Sequence, residues 1–183
     1  MSATNSLRQD HIQIRRLEKI ITQCYKKLYA EKDIPFSDIE QITVIMAEFL
    51  DAIHYAKEED AYFPCVASYD SLKKEIRAFM IEHEFGRRIA RNVANNLQRW
   101  KQGQDAREPV ARFLRTYAIY LNDHITKEEQ FFDIAEREIL SAEEEQMMYE
   151  EFRAVTAIAT KIDDMIKSIA SLEEKPWMKE QDE

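Results

Sequence analysis

Four histidines and two glutamates are the residues of this chain whose type and spacing could do chemistry. The sequence holds four histidines in all, His11, His54, His83 and His124, with Glu58 four positions after His54 and Glu128 four after His124. On a helix, residues i and i+4 project from one face about one turn apart. Imidazole and carboxylate on adjacent turns suit a ferrous or ferric ion, and the carboxylate can span to a second metal. One such pair decides little. A single helix histidine is more often a core or half-exposed residue, and an i,i+4 glutamate is often a surface partner.

The elements that carry these residues decide more. Apolar residues recur at helical spacing from Leu7 to about Tyr29, before Pro35. Ser37 and Glu40 make a capping-box pattern ahead of a second stripe, from Ile42 through Phe49 and Ile53 to a break expected at Pro64. A third helix is expected from near Ser71 to the polar segment around Gly103. A fourth follows, with Asp105 as its cap and Pro109 in its first turn. Ser141 and Glu144 make another capping box. They open a fifth helix through Met148, Phe152, Val155, Ile158 and Ile169 to about Ser171. The expected fold is all-α: an up-down-up-down four-helix bundle with an additional C-terminal helix. The domain is expected to span residues 1–171, with residues 172–183, rich in Glu and Lys, as a disordered tail.

Each histidine falls in the interior of a different one of the first four helices. At about 1.5 Å per residue, His11 lies roughly 19 residues before the first turn and His54 roughly 18 after it. His83 and His124 each lie about 20 residues from the turn near Gly103. His54 and His83 stand at similar distances from the intervening break, so an up-down bundle brings all four to one layer. That levelling favours a metal site over four unrelated core histidines. An internal repeat underlies it. Asp10-His11 with Arg15-Arg16 is echoed by Glu82-His83 with Arg87-Arg88, and His54 with Lys57-Glu58-Glu59 by His124 with Lys127-Glu128-Glu129. An offset of about 70 residues suits two hairpins forming one bundle, with two metal half-sites related by an approximate two-fold. Glu59 and Glu129, one position off that face, are expected to meet solvent or to back the ligands. The paired arginines read as solvated charges, and Met147-Met148 as packing.

Composition narrows the function classes. With two glycines and four prolines in 183 residues, long helices are favoured over Gly-rich phosphate loops. A net charge of −9 argues against nucleic acid and anionic membrane surfaces, which clustered Lys and Arg would bind. Cys24 and Cys65 have no metal or redox spacing and are expected to be buried thiols in a reducing compartment. No apolar run approaches the roughly 20 residues of a membrane span, and Met1 to Asp10 does not resemble a secretion signal. A cytoplasmic location follows as an expectation.

The pattern H…HxxxE…H…HxxxE over four helices resembles the hemerythrin-like (HHE) cation-binding family, across roughly residues 7 to 135. The resemblance implies two non-haem irons, oxo- or hydroxo-bridged. His11 and His54 would bind one, His83 and His124 the other, and Glu58 and Glu128 would bridge them. Oxygen-carrying hemerythrins have a fifth histidine one turn after the one matching His83. Arg87 stands there in this chain, which argues against simple oxygen carriage. Tyr55, Tyr62, Tyr117 and Tyr120 are candidates to fill the remaining position. The six-residue set is also similar to that of di-iron proteins that repair iron–sulfur clusters, and of small bacterial hemerythrin-like proteins that decompose peroxide. The expected ligand is therefore oxygen, nitric oxide or peroxide, bound for sensing, storage or stress response or turned over by a di-iron enzyme. A helical interaction module, or a homodimer formed through the fifth helix, is the remaining reading.

Overall fold

The computed structural model describes residues 1–154 and 156–179, and among them it contains helices and no strand. Helix α1 is Ala3–Tyr29, opened by the Ser2 side chain, which accepts a hydrogen bond from the Asn5 N–H at 3.1 Å. Helix α2 is a continuous rod over residues 36–67. Helices α3 (Lys73–Lys101) and α4 (Arg107–Ile134) follow, then α5 (Ala142–Arg153), α6 (Thr156–Glu173) and the short α7 (Pro176–Lys179). Helix α4 packs along α1 and along α3, and the first half of α2 closes against α3. Among the described residues no helix is long and apolar enough to cross a membrane.

Several boundaries differ from the sequence expectation. The Ser37–Glu40 box does not form, because α2 starts at Phe36 directly after Pro35, whose fixed φ already sets the turn. Asp105 caps nothing; Ala106 takes the N-cap position of α4 without a side-chain hydrogen bond. Pro64 does not break α2. Two π-helical stretches, Met46–Tyr55 and Glu58–Tyr62, precede it, and the Phe63 N–H reaches back five residues to the Glu58 carbonyl. Pro64 then falls in the first turn of the segment Phe63–Ala67, where a missing N–H costs little.

The expected fifth helix is divided near residue 154 into α5 and α6. The Ser141–Glu144 capping box forms in full. Val155 and the Ile158 side chain lie outside the described residues. The tail expected from residue 172 instead continues α6 to Glu173 and forms α7 over Pro176–Lys179; the remaining residues, 180–183, lie outside the described part. Leu172 is fully buried and Trp177 nearly so, with the Trp177 indole N–H donating to Asp38 at 2.9 Å and Lys175 pairing with the same carboxylate. One large apolar side chain with a satisfied indole N–H outweighs the charged composition that suggested fraying.

The buried side chains form two apolar clusters. The larger holds Ile14, Leu17, Leu50, Ile89, Leu114 and Ile125 among others, and the smaller holds Leu7, Ala61, Phe79, Phe131 and Met148. On each of the four long helices the candidate residues fall between members of the two clusters: His11 between Leu7 and Ile14, His54 and Glu58 between Leu50 and Ala61, His83 between Phe79 and Ile89, and His124 and Glu128 between Leu121 and Phe131, with Ile125 of the larger cluster beside His124. A buried polar layer therefore divides the apolar core. Of the expected packing pair, Met148 is buried and Met147 is exposed; Cys24 is fully buried and Cys65 only partly.

Candidate metal centre

All six sequence-nominated residues meet in this layer, and none exposes more than 1% of its surface. The ring centroids of His11 and His54 are 5.0 Å apart, and those of His83 and His124 are 4.9 Å apart. Glu58 comes within 3.6 Å of His54 Nε2 and 3.3 Å of His83 Nε2. Glu128 lies 3.0 Å from His124 Nε2, 3.3 Å from His11 Nε2 and 3.4 Å from His83 Nε2. Each carboxylate thus reaches histidines from more than one helix. Ligand atoms of His11, His54, Glu58 and Glu128 lie within 4.8 Å of one another, as do those of His83, His124 and Glu128. Both groups can hold a metal ion.

The donor atoms fit such an ion. The Nε2 atoms of His11, His54, His83 and His124 and both carboxylate oxygens of Glu58 and Glu128 are buried without a hydrogen-bond partner. A buried polar group without a partner costs about 1–3 kcal/mol, so eight facing one small space would be heavily destabilising unless something satisfied them together. Two carboxylates in an apolar core also require compensating positive charge. In the metal-free protein, protons on His11 and His83 supply it. Burial opposes charge on His11 and His83, but the facing carboxylates outweigh it and lift their pKa values to about 9 and about 11. Burial likewise opposes charge on Glu128, yet the surrounding imidazoles hold its pKa well below the usual carboxylate range.

The other nitrogen of every ring is held by a carboxylate. His11 Nδ1 lies 2.6 Å from Glu129, His83 Nδ1 2.6 Å from Glu59, and His124 Nδ1 2.8 Å from Glu82. His54 Nδ1 lies 3.4 Å from Asp10. An ionised carboxylate only accepts, so each Nδ1 carries a proton, and a neutral ring then presents its Nε2 lone pair inward. Cations anchor these carboxylates in turn. Lys57 binds Asp10 at 2.6 Å, Lys127 binds Glu82 at 2.8 Å, Arg87 binds Glu59 at 3.0 Å, and Arg8 lies 3.4 Å from Glu129. Such outer partners fix ring orientation and raise ligand basicity.

Glu59 and Glu129 therefore back the histidines, one of their two expected roles. Arg87 is not the solvated charge expected. It bonds Asp51 and Glu59, and its guanidinium lies 5.5 Å over the Tyr55 ring. Spacing alone does not mark Asp10, Lys57, Glu82 and Lys127 as site residues, although the repeat carries a signal: an acid directly before His11 and His83, and a lysine directly before Glu58 and Glu128. Of the four tyrosines, Tyr62 has its hydroxyl 2.6 Å from Thr4. Tyr55 stacks on His83 at 3.8 Å and Tyr120 on His124 at 5.1 Å, with Tyr117 beside Tyr120.

Neither the curated proteins nor the solved structures yield a match to this chain. A family model does match: that of the hemerythrin HHE cation-binding domain, over residues 2–135, which takes in α1 to α4 and all six residues of the layer. With that match covering most of the sequence, and a buried His/Glu layer to account for it, the chain belongs to the hemerythrin HHE cation-binding domain family.

Proposed function

We propose that this protein is a non-haem di-iron protein that binds oxygen, nitric oxide or peroxide for sensing, storage or a stress response. In this reading His11 and His54 hold one iron, His83 and His124 hold the other, and Glu58 and Glu128 bridge the two. The observation that carries it is the set of eight inward-facing donor atoms, all buried and all without a partner. Nitrogen and carboxylate donors in a bundle core suit iron or manganese better than zinc, which favours closed four-coordinate sites. When bound, the irons would supply one-electron chemistry and open positions for a small ligand. The protein's own part is to orient four imidazoles through their Nδ1 partners and to exclude water with an apolar cluster on either side.

An up-down-up-down course of the four long helices belongs to the same proposal, supported by the short connections 30–35, 68–72 and 102–106. So does a cytoplasmic setting, supported by the two free cysteines. Turnover of peroxide or nitric oxide is the second reading. It is favoured by the phenols of Tyr55 and Tyr120, which stack on the histidines of one half of the layer.

Metal analysis with an optical spectrum tests the proposal. Wild-type protein is expected to hold about two irons per chain with a near-ultraviolet charge-transfer band, matching two nitrogen–carboxylate half-sites. His54→Ala/His124→Ala is expected to lose both. Metal content unchanged in that variant would show the layer to be packing alone.

A further inference from the structure

One of the two glycines in this chain, Gly86, stands inside α3, where glycine weakens a helix. The reason is Tyr120. A Cβ on Gly86 would meet the Cε1, Cζ and Oη atoms of Tyr120 at 2.7 to 2.9 Å. Helix α3 thus gives up a side chain so that this ring can lie against its backbone. The Tyr120 ring stacks on His124 with an interplanar angle of 21°, and its hydroxyl oxygen is 3.0 Å from that of Tyr55. Tyr55 in turn stacks on His83 with an interplanar angle of 13°.

These phenols break the symmetry of the repeat. At the offset that relates His54 to His124, Tyr55 corresponds to Ile125 and Tyr120 to Leu50. The ring stacked on His11 in the other half is Phe132, without a hydroxyl. Leucine, isoleucine or phenylalanine fills core space without the cost of burying an O–H. Among the described residues, the phenol rings stacked on histidines therefore belong to the His83/His124 half, although the Tyr55 ring also lies 5.9 Å from that of His54. Tyr120 is 8% exposed, and its edge, with Phe85, Ala118, Ile119, Glu82 and Asp123, lines a surface cleft of about 680 Å³.

We propose that Tyr55 and Tyr120 form a phenol relay that passes hydrogen-atom equivalents from a donor in this cleft to peroxide reduced at the His83/His124 half, with Gly86 as its positioning residue. The relay rests on the two-iron reading. In each transfer a tyrosine O–H bond breaks, its electron and proton move inward, and the phenoxyl left behind takes a hydrogen atom from the donor. Two transfers supply two electrons and two protons. One hydrogen peroxide loses its O–O bond and becomes two waters, while two donor molecules become radicals. The donor class is a neutral phenol, because the acids lining the cleft repel anions and its apolar side chains accept a ring.

Rapid-freeze electron paramagnetic resonance of the iron-loaded protein after peroxide addition, with and without hydroquinone, tests this. Wild type is expected to show a tyrosyl radical that hydroquinone quenches. Tyr120→Phe, nearly equal in volume, keeps its iron but loses the hydroquinone-dependent quenching, and Tyr55→Phe loses the radical or shifts its spectrum. Gly86→Ala retains both phenols yet reproduces the Tyr120→Phe result. It also changes the tyrosine bands of the near-ultraviolet circular dichroism in metal-free protein. Tyr62→Phe leaves radical and quenching unaltered. Iron-loaded wild type without a tyrosyl radical, or a radical and quenching identical in Tyr120→Phe, overturns the relay while the metal site stands. Wild type that takes up no iron overturns the underlying reading and the relay with it.

Discussion

Asp10 stands next to His11 in the chain but serves His54 on the neighbouring helix. Its Oδ2 accepts from Lys57 at 2.6 Å and lies 3.4 Å from His54 Nδ1, and all three residues are buried. In the other half Glu82 does the same for His124 with Lys127, but there the acid and the lysine are both partly exposed. Outer partners of metal-bound histidines typically contribute 10–100-fold in affinity. Asp10→Asn is therefore expected to weaken metal binding by about that factor and to destabilise the metal-free protein, since a buried Lys57 ammonium loses its carboxylate. Glu82→Gln should cost less on both counts, because water screens Lys127. Metal titration and thermal melts of the two variants check the order.

At the scale of elements, the departures of α2 and the C-terminal helices from simple pattern reading have separate causes. Two π-helical stretches carry α2 past Pro64, and both His54 and Glu58 lie within them. Wide turns of this kind recur at functional sites because they re-aim side chains without ending the helix. The C-terminal helices are held by particular anchors: Arg16 with Glu173, and Asp38 with Lys175 and Trp177. Trp177→Ala removes a nearly buried side chain and leaves Asp38 without its indole donor. Denaturant unfolding is expected to show a loss of about 3–5 kcal/mol. Metal content should stay at the wild-type level, since Trp177 packs in the larger apolar cluster on one side of the layer.

For the whole molecule, one polar layer is placed between two apolar clusters, so folding and metal binding are linked. Eight donor atoms that the metal-free state serves only by protonating imidazoles favour a bound cation. A ligand at a hundredfold excess over its Kd adds about 2.7 kcal/mol of stability. For a chain of this size that is on the order of 5–10 °C in Tm. Removing metal with a chelator is expected to lower Tm by that much, and restoring ferrous iron under anaerobic conditions to recover it. In His54→Ala/His124→Ala the chelator should have no effect.

The helical class and the six residues of the layer are legible in the chain. Helical periodicity at 1.5 Å per residue turns sequence distance into height, so four histidines on four helices could be levelled from the chain alone. It also held the acid–His and Lys–Glu repeats, but which carboxylate serves which imidazole depends on helices far apart in sequence. Asp10 reaching His54 and Glu129 reaching His11 were decided only by packing. The passage of α2 over Pro64 and the docking of Trp177 were hidden for a similar reason. Local propensity sees a proline and a charged tail, whereas the burial that overrides it is supplied by residues such as Asp38, 139 positions from its indole partner. Gly86 reads in the chain as a weak point of a helix, and its cause lies in packing, a tyrosine ring from α4 lying where a side chain would be.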